Sequence, residues 1–122
     1  MGPIIVKNAG KYGRGIFADR YIKKGELLEK APVIIIPDQE WKQMRKSVLQ
    51  NYVFRWGEDK AIALGYGSLY NHSYTPNAKY ITNIENQTLD FYARKDIQRG
   101  EQIFVNYNGD PSDQSLLWFD VF

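Results

Sequence analysis

Residues 70–78, YNHSYTPNA, hold the only histidine of the chain, between an asparagine and a serine. Asn, Ser, Thr and Pro are turn formers, so this stretch on its own predicts a turn in which His72 is incidental. The alternative is that Asn71 and His72 belong to a functional site. Which interpretation holds depends on what surrounds the stretch in the sequence.

The composition limits the kinds of protein that this chain can form. With 122 residues, of which 43% are hydrophobic, the chain has the size of one domain with one core. We therefore predict a single domain over 1–122, with its core at about 5–107 and a C-terminal tail at 108–122. The absence of cysteine excludes disulfides and thiolate zinc sites, and a single histidine excludes a multi-histidine metal site. Only coordination by carboxylate oxygens stays open.

The start of the chain and its charge predict a soluble, intracellular protein without a membrane or nucleic-acid partner. MGPIIVKNAGK lacks the apolar run of a signal peptide, and no stretch is long enough to span a bilayer. Val6 stands where the myristoylation pattern needs Ser or Thr. The net charge is only +2, and no basic run exceeds two residues. An aromatic content of 15% predicts either a thick β core or an aromatic-lined channel.

Short apolar stretches separated by Gly, Asn and Pro predict a mostly β fold that is neither a regular barrel nor a sandwich. The last strand is followed by a loop and an apolar end. The predicted strands and the hairpin comprise residues 4–8, 15–18, 25–37, 77–97 and 101–107.

Two local features of this pattern lead to specific expectations. Pro32 predicts that the strand at 25–37 lies at a sheet edge or contains a bulge. The one helix is expected at 38–49, because Trp41, Met44, Val48 and Leu49 recur at helical spacing. Asp38 is its predicted N-cap.

Several kinds of chemistry can be set aside from the residues. Gly13 and Gly15 form a G-x-G, but a strand follows instead of the helix that phosphate binding needs. The glycines either let a ligand approach the backbone or form a plain hairpin turn. A Ser-His-acid triad would have to use His72, and no serine stands out as its partner. The carboxylates mostly stand beside lysines or arginines, which predicts a solvated face; they are Glu26, Glu29, Asp38, Glu40, Glu58, Asp59, Glu85, Asp90, Asp96 and Glu101.

Three motifs occur in a fixed order over about Ile5 to Tyr107, and together they resemble the SET domain, the fold of most protein lysine methyltransferases. YGRGIFADRYIKKGELL is similar to the opening Gly-x-Gly segment and the later Gly-Glu of that family. LYNHSYTPNA is similar to its Asn-His-Ser-x-x-Pro-Asn signature, and IQRGEQIFVNY to its Gly-Glu-Glu motif that ends in tyrosine. The compact length is most similar to minimal stand-alone SET proteins of some large DNA viruses and bacteria.

The resemblance implies a mostly β, β-clip-like SET fold of short strands and small sheets, with one short helix and a C-terminal pseudoknot that brings Tyr107 beside Asn71. It implies S-adenosylmethionine as methyl donor, released as S-adenosylhomocysteine. The backbone of Gly13, Arg14 and Gly15 would contact the methionine end of the donor. Asn71 would lie near its amino acid part and His72 near the adenine, as a binding residue rather than an acid or a base.

The resemblance also implies roles around the substrate lysine. Tyr107 would be the central hydroxyl, with Tyr52 and Tyr80 lining the lysine channel. In the family, the position of Val105 helps to set how many methyl groups fit, and a tyrosine such as Tyr80 can hold a water where a further methyl would go. We therefore predict mono- or dimethylation.

Three departures from the family pattern lead to separate expectations. Ser68-Leu69-Tyr70 replaces a frequent Arg-Phe-apolar triplet, so the resemblance does not define the local packing there. A cysteine-rich zinc segment that closes the channel in many relatives cannot exist in this chain. Trp118 and Phe119 of the tail either cover the lysine or adenine in its place, or serve packing or a homodimer contact.

The partner and the location follow from the same resemblance. The expected partner is a lysine-containing protein or peptide, with a histone tail as one candidate. The expected location is the cytoplasm, or the host nucleus for a viral or effector protein. A different class stays open, namely a non-catalytic SET-like or other small β module that binds a peptide.

Overall fold

The computed structural model describes residues 2–107 and Ser112. Nine strands, one α-helix and two short 3₁₀ helices, Gly10–Tyr12 and Val48–Asn51, make up this part of the chain. The mostly β prediction is confirmed. The predicted pseudoknot, in which the end of the chain threads past the Asn71-His72 segment, stays a prediction.

The first sheet has four strands and brings the two ends of the described chain together. Its strands are β1 (Ile4–Asn8), β2 (Arg14–Ala18), β6 (Asn71–His72) and β9 (Gln102–Val105). They lie in the order β1-β2-β9-β6, and only β6 and β9 are parallel. The segment that we predicted to be a turn therefore contains a short strand.

The second sheet has five strands in the order β4-β5-β3-β8-β7, all antiparallel. The hairpin predicted at 77–97 is confirmed. We did not predict the hairpin of β4 and β5, which turns at Gly57 with a φ of +59°. The strands are β3 (Leu27–Ile36), β4 (Val53–Trp56), β5 (Asp59–Ala63), β7 (Ala78–Asn83) and β8 (Thr88–Ala93).

Of the two alternatives for Pro32, the sheet edge was wrong, because β3 is the central strand of its sheet, and the strand does contain a register shift, although not at Pro32. The register shift on this strand lies between Leu27 and Glu29. Pro32 stands where β3 changes partners: it pairs with Thr88 at one end of β8, and the pairing with β5 starts at Val33. Proline has no N–H to give to a ladder. It is tolerated here because the pairing with β8 ends at Pro32 and the pairing with β5 begins only at Val33.

The helix is shorter than predicted. α1 spans Asp38–Met44, and its N-cap is Pro37 rather than Asp38, which is the first helical residue and pairs with Lys42 at 3.3 Å. Ser47 then redirects the chain: its hydroxyl donates to the Met44 carbonyl and accepts from the Leu49 N–H. Local bonding by a serine competes with continued helix, so the helical spacing of Val48 and Leu49 did not extend α1.

Two of the carboxylates assigned to a solvated face are buried, namely Glu29 and Asp90. Burial alone would raise the pKa of Asp90, but hydrogen bonds from Asn83, Lys30 and Thr88 outweigh it and lower this pKa. Asp90 is thus a satisfied structural ion that ties β7 and β3 to β8.

Candidate functional site

The parallel pairing of β6 with β9 joins Asn71 and His72 to the end of the last strand. Asn71 lies opposite Phe104, and His72 lies opposite Val105. Two residues further on, the Tyr107 N–H donates to Nδ1 of His72 at 3.0 Å, and the Tyr107 hydroxyl donates to the Tyr70 carbonyl at 2.7 Å. The two motifs that are distant in sequence therefore form one hydrogen-bonded unit.

His72 is held as a neutral imidazole with a defined tautomer. Because Nδ1 accepts from the Tyr107 N–H, the proton of the neutral ring resides on Nε2. Nε2 is buried and lacks a hydrogen-bond partner within the part of the chain that the structure describes. The ring packs against Tyr74, edge to face at 4.4 Å between centroids, and against Tyr107. His72 thus presents a buried donor for which a bound molecule could supply the acceptor.

We expect His72 to titrate below its ordinary pKa of 6.5, because burial disfavours the charged ring and lowers this pKa. Below pH 6.5 the unfolded chain then binds more protons than the folded chain, so the free energy of unfolding falls as the pH drops through 6.5 toward the pKa of the folded protein. Since His72 is the only histidine, one imidazole NMR resonance reports its midpoint directly. A midpoint at or above 6.5 would contradict this expectation.

The segment Gly13-Arg14-Gly15, called the glycine loop below, is held in place by Asn71. The side-chain amide of Asn71 donates to the Arg14 carbonyl at 3.0 Å and to Oε1 of Gln102 at 2.8 Å. A Cβ on Gly15 would lie 2.5 Å from that Gln102 oxygen and 2.8 Å from the Asn71 nitrogen. Gly13 has a φ of +77° and open space where a Cβ would stand. Bulk is therefore excluded at Gly15 by the chain's own packing, whereas Gly13 is needed for its backbone conformation.

The position of Tyr70 depends on a buried carboxylate. The Tyr70 ring stacks on Phe91 with centroids 4.3 Å apart, and its hydroxyl donates to Glu29 at 3.0 Å. Glu29 also accepts the Tyr66 N–H at 2.9 Å. Burial raises the pKa of Glu29, although both hydrogen bonds oppose the rise. The Tyr70 carbonyl accepts the hydrogen bond of the Tyr107 hydroxyl. Glu29 therefore stabilises the position of Tyr107 through Tyr70, and does not lie on a solvated face.

Tyr107 also lines a cavity of about 1090 Å³. Trp41, Phe54 and Tyr80 form its aromatic wall, and Phe54 meets Tyr80 edge to face at 5.0 Å. Burial raises the pKa of Tyr80 to about 12. It also raises the pKa of Tyr107 well above its ordinary value, with smaller contributions from Tyr52 and Tyr80. Both phenols are thus neutral at physiological pH.

The remaining predicted site residues are placed differently. Tyr52 is 44% exposed, outside the lining of the cavity, but close enough to influence Tyr107 electrostatically. Val105 is fully buried in the core and does not line the cavity. Trp118 and Phe119 lie outside the described residues. The structure therefore brings together Gly13, Arg14, Gly15, Asn71, His72, Tyr80 and Tyr107, with Tyr52 close to Tyr107.

Sequence reasoning missed three residues of this site, namely Glu29, Tyr70 and Gln102. Gln102 stood in the motif IQRGEQIFVNY, and Tyr70 stood where the chain departs from the family pattern, so both carried a signal. Glu29 carried none, because its burial depends on the fold of the second sheet. Within residues 2–107, no cluster of three or more His, Asp and Glu side chains suits a metal, and no helix has the length and apolar character that a membrane crossing needs.

Comparisons with known proteins agree with this geometry. The family model of the SET domain matches residues 13–108. The chain is 31% identical over 120 residues to a Schizosaccharomyces pombe histone-lysine N-methyltransferase described as H3 lysine-37 specific, covering 97% of this chain and 78% of the relative.

The solved structures that share the fold include the following two. One is a crystal structure of a Plasmodium falciparum protein assigned as a histone methyltransferase, with 32% identity, a TM-score of 0.73 and coverage of 88% of this chain and 94% of that chain. The other is a ctPRC2 complex with H3K27me3 and H3K27M, with 21% identity, a TM-score of 0.72 and coverage of 87% and 14%; this second likeness shows the fold alone. By its sequence, its fold and the joined Asn71-His72 and Tyr107 motifs, the chain belongs to the SET-domain family as a protein-lysine methyltransferase.

Proposed function

We propose that the chain transfers methyl groups from S-adenosylmethionine to a protein lysine through the site around Tyr107. The observation that carries this proposal is the hydrogen-bonded unit of Tyr70, His72 and Tyr107, which places one phenol beside both the Asn71-His72 strand and the aromatic cavity. Histones are the first substrates to test, because the S. pombe relative carries that activity in its name. This substrate class would place the enzyme in a nucleus.

The residues present fit the proposed donor. Bound S-adenosylmethionine would supply a methyl group on a sulfonium. The unpartnered Nε2–H of His72 is a buried donor suited to an acceptor nitrogen of adenine. The backbone of Gly13, Arg14 and Gly15, fixed by the Asn71 amide, would hold the methionine end.

Tyr107 would act as an oxygen dipole instead of a base. Because its hydroxyl donates to the Tyr70 carbonyl, the phenol would be oriented with its oxygen dipole toward the partly positive methyl group. Its raised pKa keeps it a neutral phenol. Catalysis would then consist mainly of alignment and electrostatic stabilisation.

The cavity wall would prepare the attacking amine. A free lysine has a pKa of about 10.4, so its neutral form is scarce at neutral pH. Tyr80, Phe54 and Tyr107 would remove water from the amine and thereby favour the neutral form. Tyr52 is assigned to the mouth of this channel, and the role of Val105 in setting the number of methyl groups stays a prediction.

The donor assignment predicts thermal stabilisation by S-adenosylmethionine or S-adenosylhomocysteine. A ligand at 100 times its Kd adds about 2.7 kcal/mol to the free energy of unfolding, which raises Tm by at least several degrees in a domain of this size. ATP serves as the adenine-containing control. An unchanged Tm with both ligands at saturation would favour a module that binds peptide without catalysis.

We expect mono- and dimethylated lysine as products, with Tyr80 as a limit on further transfer. Removing its hydroxyl in Tyr80→Phe would free the space of a water molecule and shift products toward trimethyllysine. Tyr92→Phe on β8, which does not line this cavity, is the matched control. A mass-spectrometric time course measures the ratio of products. Trimethyllysine as the main product of the unmodified enzyme, or no shift in Tyr80→Phe, would argue against this role.

Dimerisation is a separate part of the expected behaviour. The apolar end that would form the contact lies outside the described residues, so a homodimer stays a prediction. The same holds for the covering role assigned to Trp118 and Phe119.

A further inference from the structure

The cavity beside Tyr107 has an unbalanced charge. Among the described residues that line it are four cations and no carboxylate. The cations come from three neighbouring parts of the chain, and they are Arg45, Lys46, Arg55 and Lys60. Since the net charge of the whole chain is only +2, this wall concentrates positive charge well beyond the average of the surface.

Within residues 2–107, no acid forms an ion pair with any of these four cations. The side-chain ion pairs of the described residues are Arg20 with Glu26, Lys30 with Asp90, and Lys42 with Asp38. Asp59 accepts the backbone N–H of Asp38. Glu40 on α1, Glu58 at the β4–β5 turn and Glu85 after β7 are exposed and do not line the cavity, and β7 itself carries no acidic residue. The described residues around the cavity therefore give it a positive potential.

The charge acts at the place where the lysine channel is proposed. Arg55 influences the Tyr80 hydroxyl electrostatically, and Tyr80 shares the cavity wall with Tyr107. A substrate segment with several lysines and arginines would meet like charges along this wall, and a segment with carboxylates would meet opposite ones. The cations also disfavour the protonated, positively charged form of the target amine, which helps the amine to stay neutral.

We infer that this cavity selects a protein segment in which Asp or Glu side chains flank the target lysine. This inference rests on the proposed methyltransferase function and narrows its substrate class. Among histone lysines, it favours those in acidic or weakly basic surroundings over those in arginine- and lysine-rich tails. The aromatic wall and the single channel suit a peptide better than the phosphate track of a nucleic acid.

The test compares three peptides of equal length with one central lysine, flanked by Asp and Glu, by Ser and Gly, or by Arg and Lys. We expect kcat/KM to be about tenfold higher for the acidic peptide than for the basic one, with a smaller ratio at high salt because the charges are exposed. The charge reversals Arg45→Glu and Lys46→Glu would abolish or invert this order. Arg99→Glu and Lys95→Glu, exposed positions outside the cavity, are the matched controls and would leave it unchanged.

The outcomes separate the inference from the function on which it rests. Methyl transfer with no preference, with preference for the basic peptide, or onto intact histones alone would overturn the inference and leave the methyltransferase in place. An acidic preference that persists in both charge-reversal variants would also overturn the inference. So would binding of a DNA duplex that is tighter than binding of the acidic peptide and that both charge reversals abolish. Absence of transfer onto all peptides and histones would overturn the proposed function itself.

Discussion

Tyr107→Phe should fold normally and lose methyl transfer. The phenyl ring keeps the packing against His72, but the oxygen that is anchored on the Tyr70 carbonyl disappears. Removing one preorganised dipole from a reacting centre typically costs a factor of about 10²–10³ in kcat. The cost in stability should be only about 1 kcal/mol, as for one hydrogen bond. Single-turnover transfer of a radiolabelled methyl group measures the first quantity, and thermal unfolding measures the second.

Tyr21→Phe is the matched control for this variant. It removes an exposed tyrosine hydroxyl that bonds Asp96 and does not line the cavity. Its activity should equal that of the unmodified enzyme. If Tyr107→Phe were as active as Tyr21→Phe and the unmodified enzyme, the hydroxyl of Tyr107 would have no part in the chemistry.

Gly15→Ala should lose donor binding and part of the stability. The added methyl would lie 2.5 Å from Oε1 of Gln102 and 2.8 Å from Nδ2 of Asn71, so the two side chains must separate or move. Overpacking of this kind costs about 1–3 kcal/mol. Because Asn71 also holds the Arg14 carbonyl, its displacement should release the glycine loop. Calorimetric titration with S-adenosylhomocysteine measures the loss of binding.

Gly25→Ala is the control that separates the loss of ligand binding from a general loss of stability. Gly25 has a φ of +88° with open space for a Cβ, so alanine there is strained without a clash. This control should lose a comparable amount of stability and keep its affinity for the ligand. Equal affinities in Gly15→Ala and Gly25→Ala would show that Asn71 and the glycine loop do not cooperate in binding.

The fold was predictable where a local rule decides the outcome. The hairpin of β7 and β8 and the long strand β3 follow from alternation and turn residues, and both form as expected. The rule failed where tertiary context competes. Ser47 ends the helical run that the spacing of Val48 and Leu49 predicted. Pro32 is accommodated in a central strand because β3 changes partners there.

The sequence predicted most residues of the candidate site but not the contacts that hold these residues in place. Three ordered motifs were enough to propose that Asn71 and Tyr107 are neighbours, and β6 and β9 do bring their segments together. The supporting contacts depend on pairs far apart in sequence. Glu29 reaches Tyr70 across 41 positions, and Asn71 reaches Gln102 across 31. No local pattern reports such contacts, so Glu29 resembled any carboxylate beside a lysine.

The charge of the cavity was equally hidden from the sequence. Arg45 and Lys46 follow the helix, Arg55 lies on β4 and Lys60 on β5, and none of them belongs to a basic run longer than two residues. They act together only because α1, the β4–β5 hairpin and β7 enclose one space. Spatial concentration of charge therefore has to be read from the fold rather than from a total of +2.

Transfer of label from methyl-tritiated S-adenosylmethionine to histones and to the three lysine peptides, with mass-spectrometric identification of the modified atom, decides whether one phenol, one imidazole and one aromatic cavity form a lysine methylation site. Label should appear on the lysine ε-nitrogen as one or two methyl groups, and Tyr107→Phe should reduce it by about 10²–10³. Label on another kind of residue, or no label with a correctly folded enzyme, would contradict this assignment.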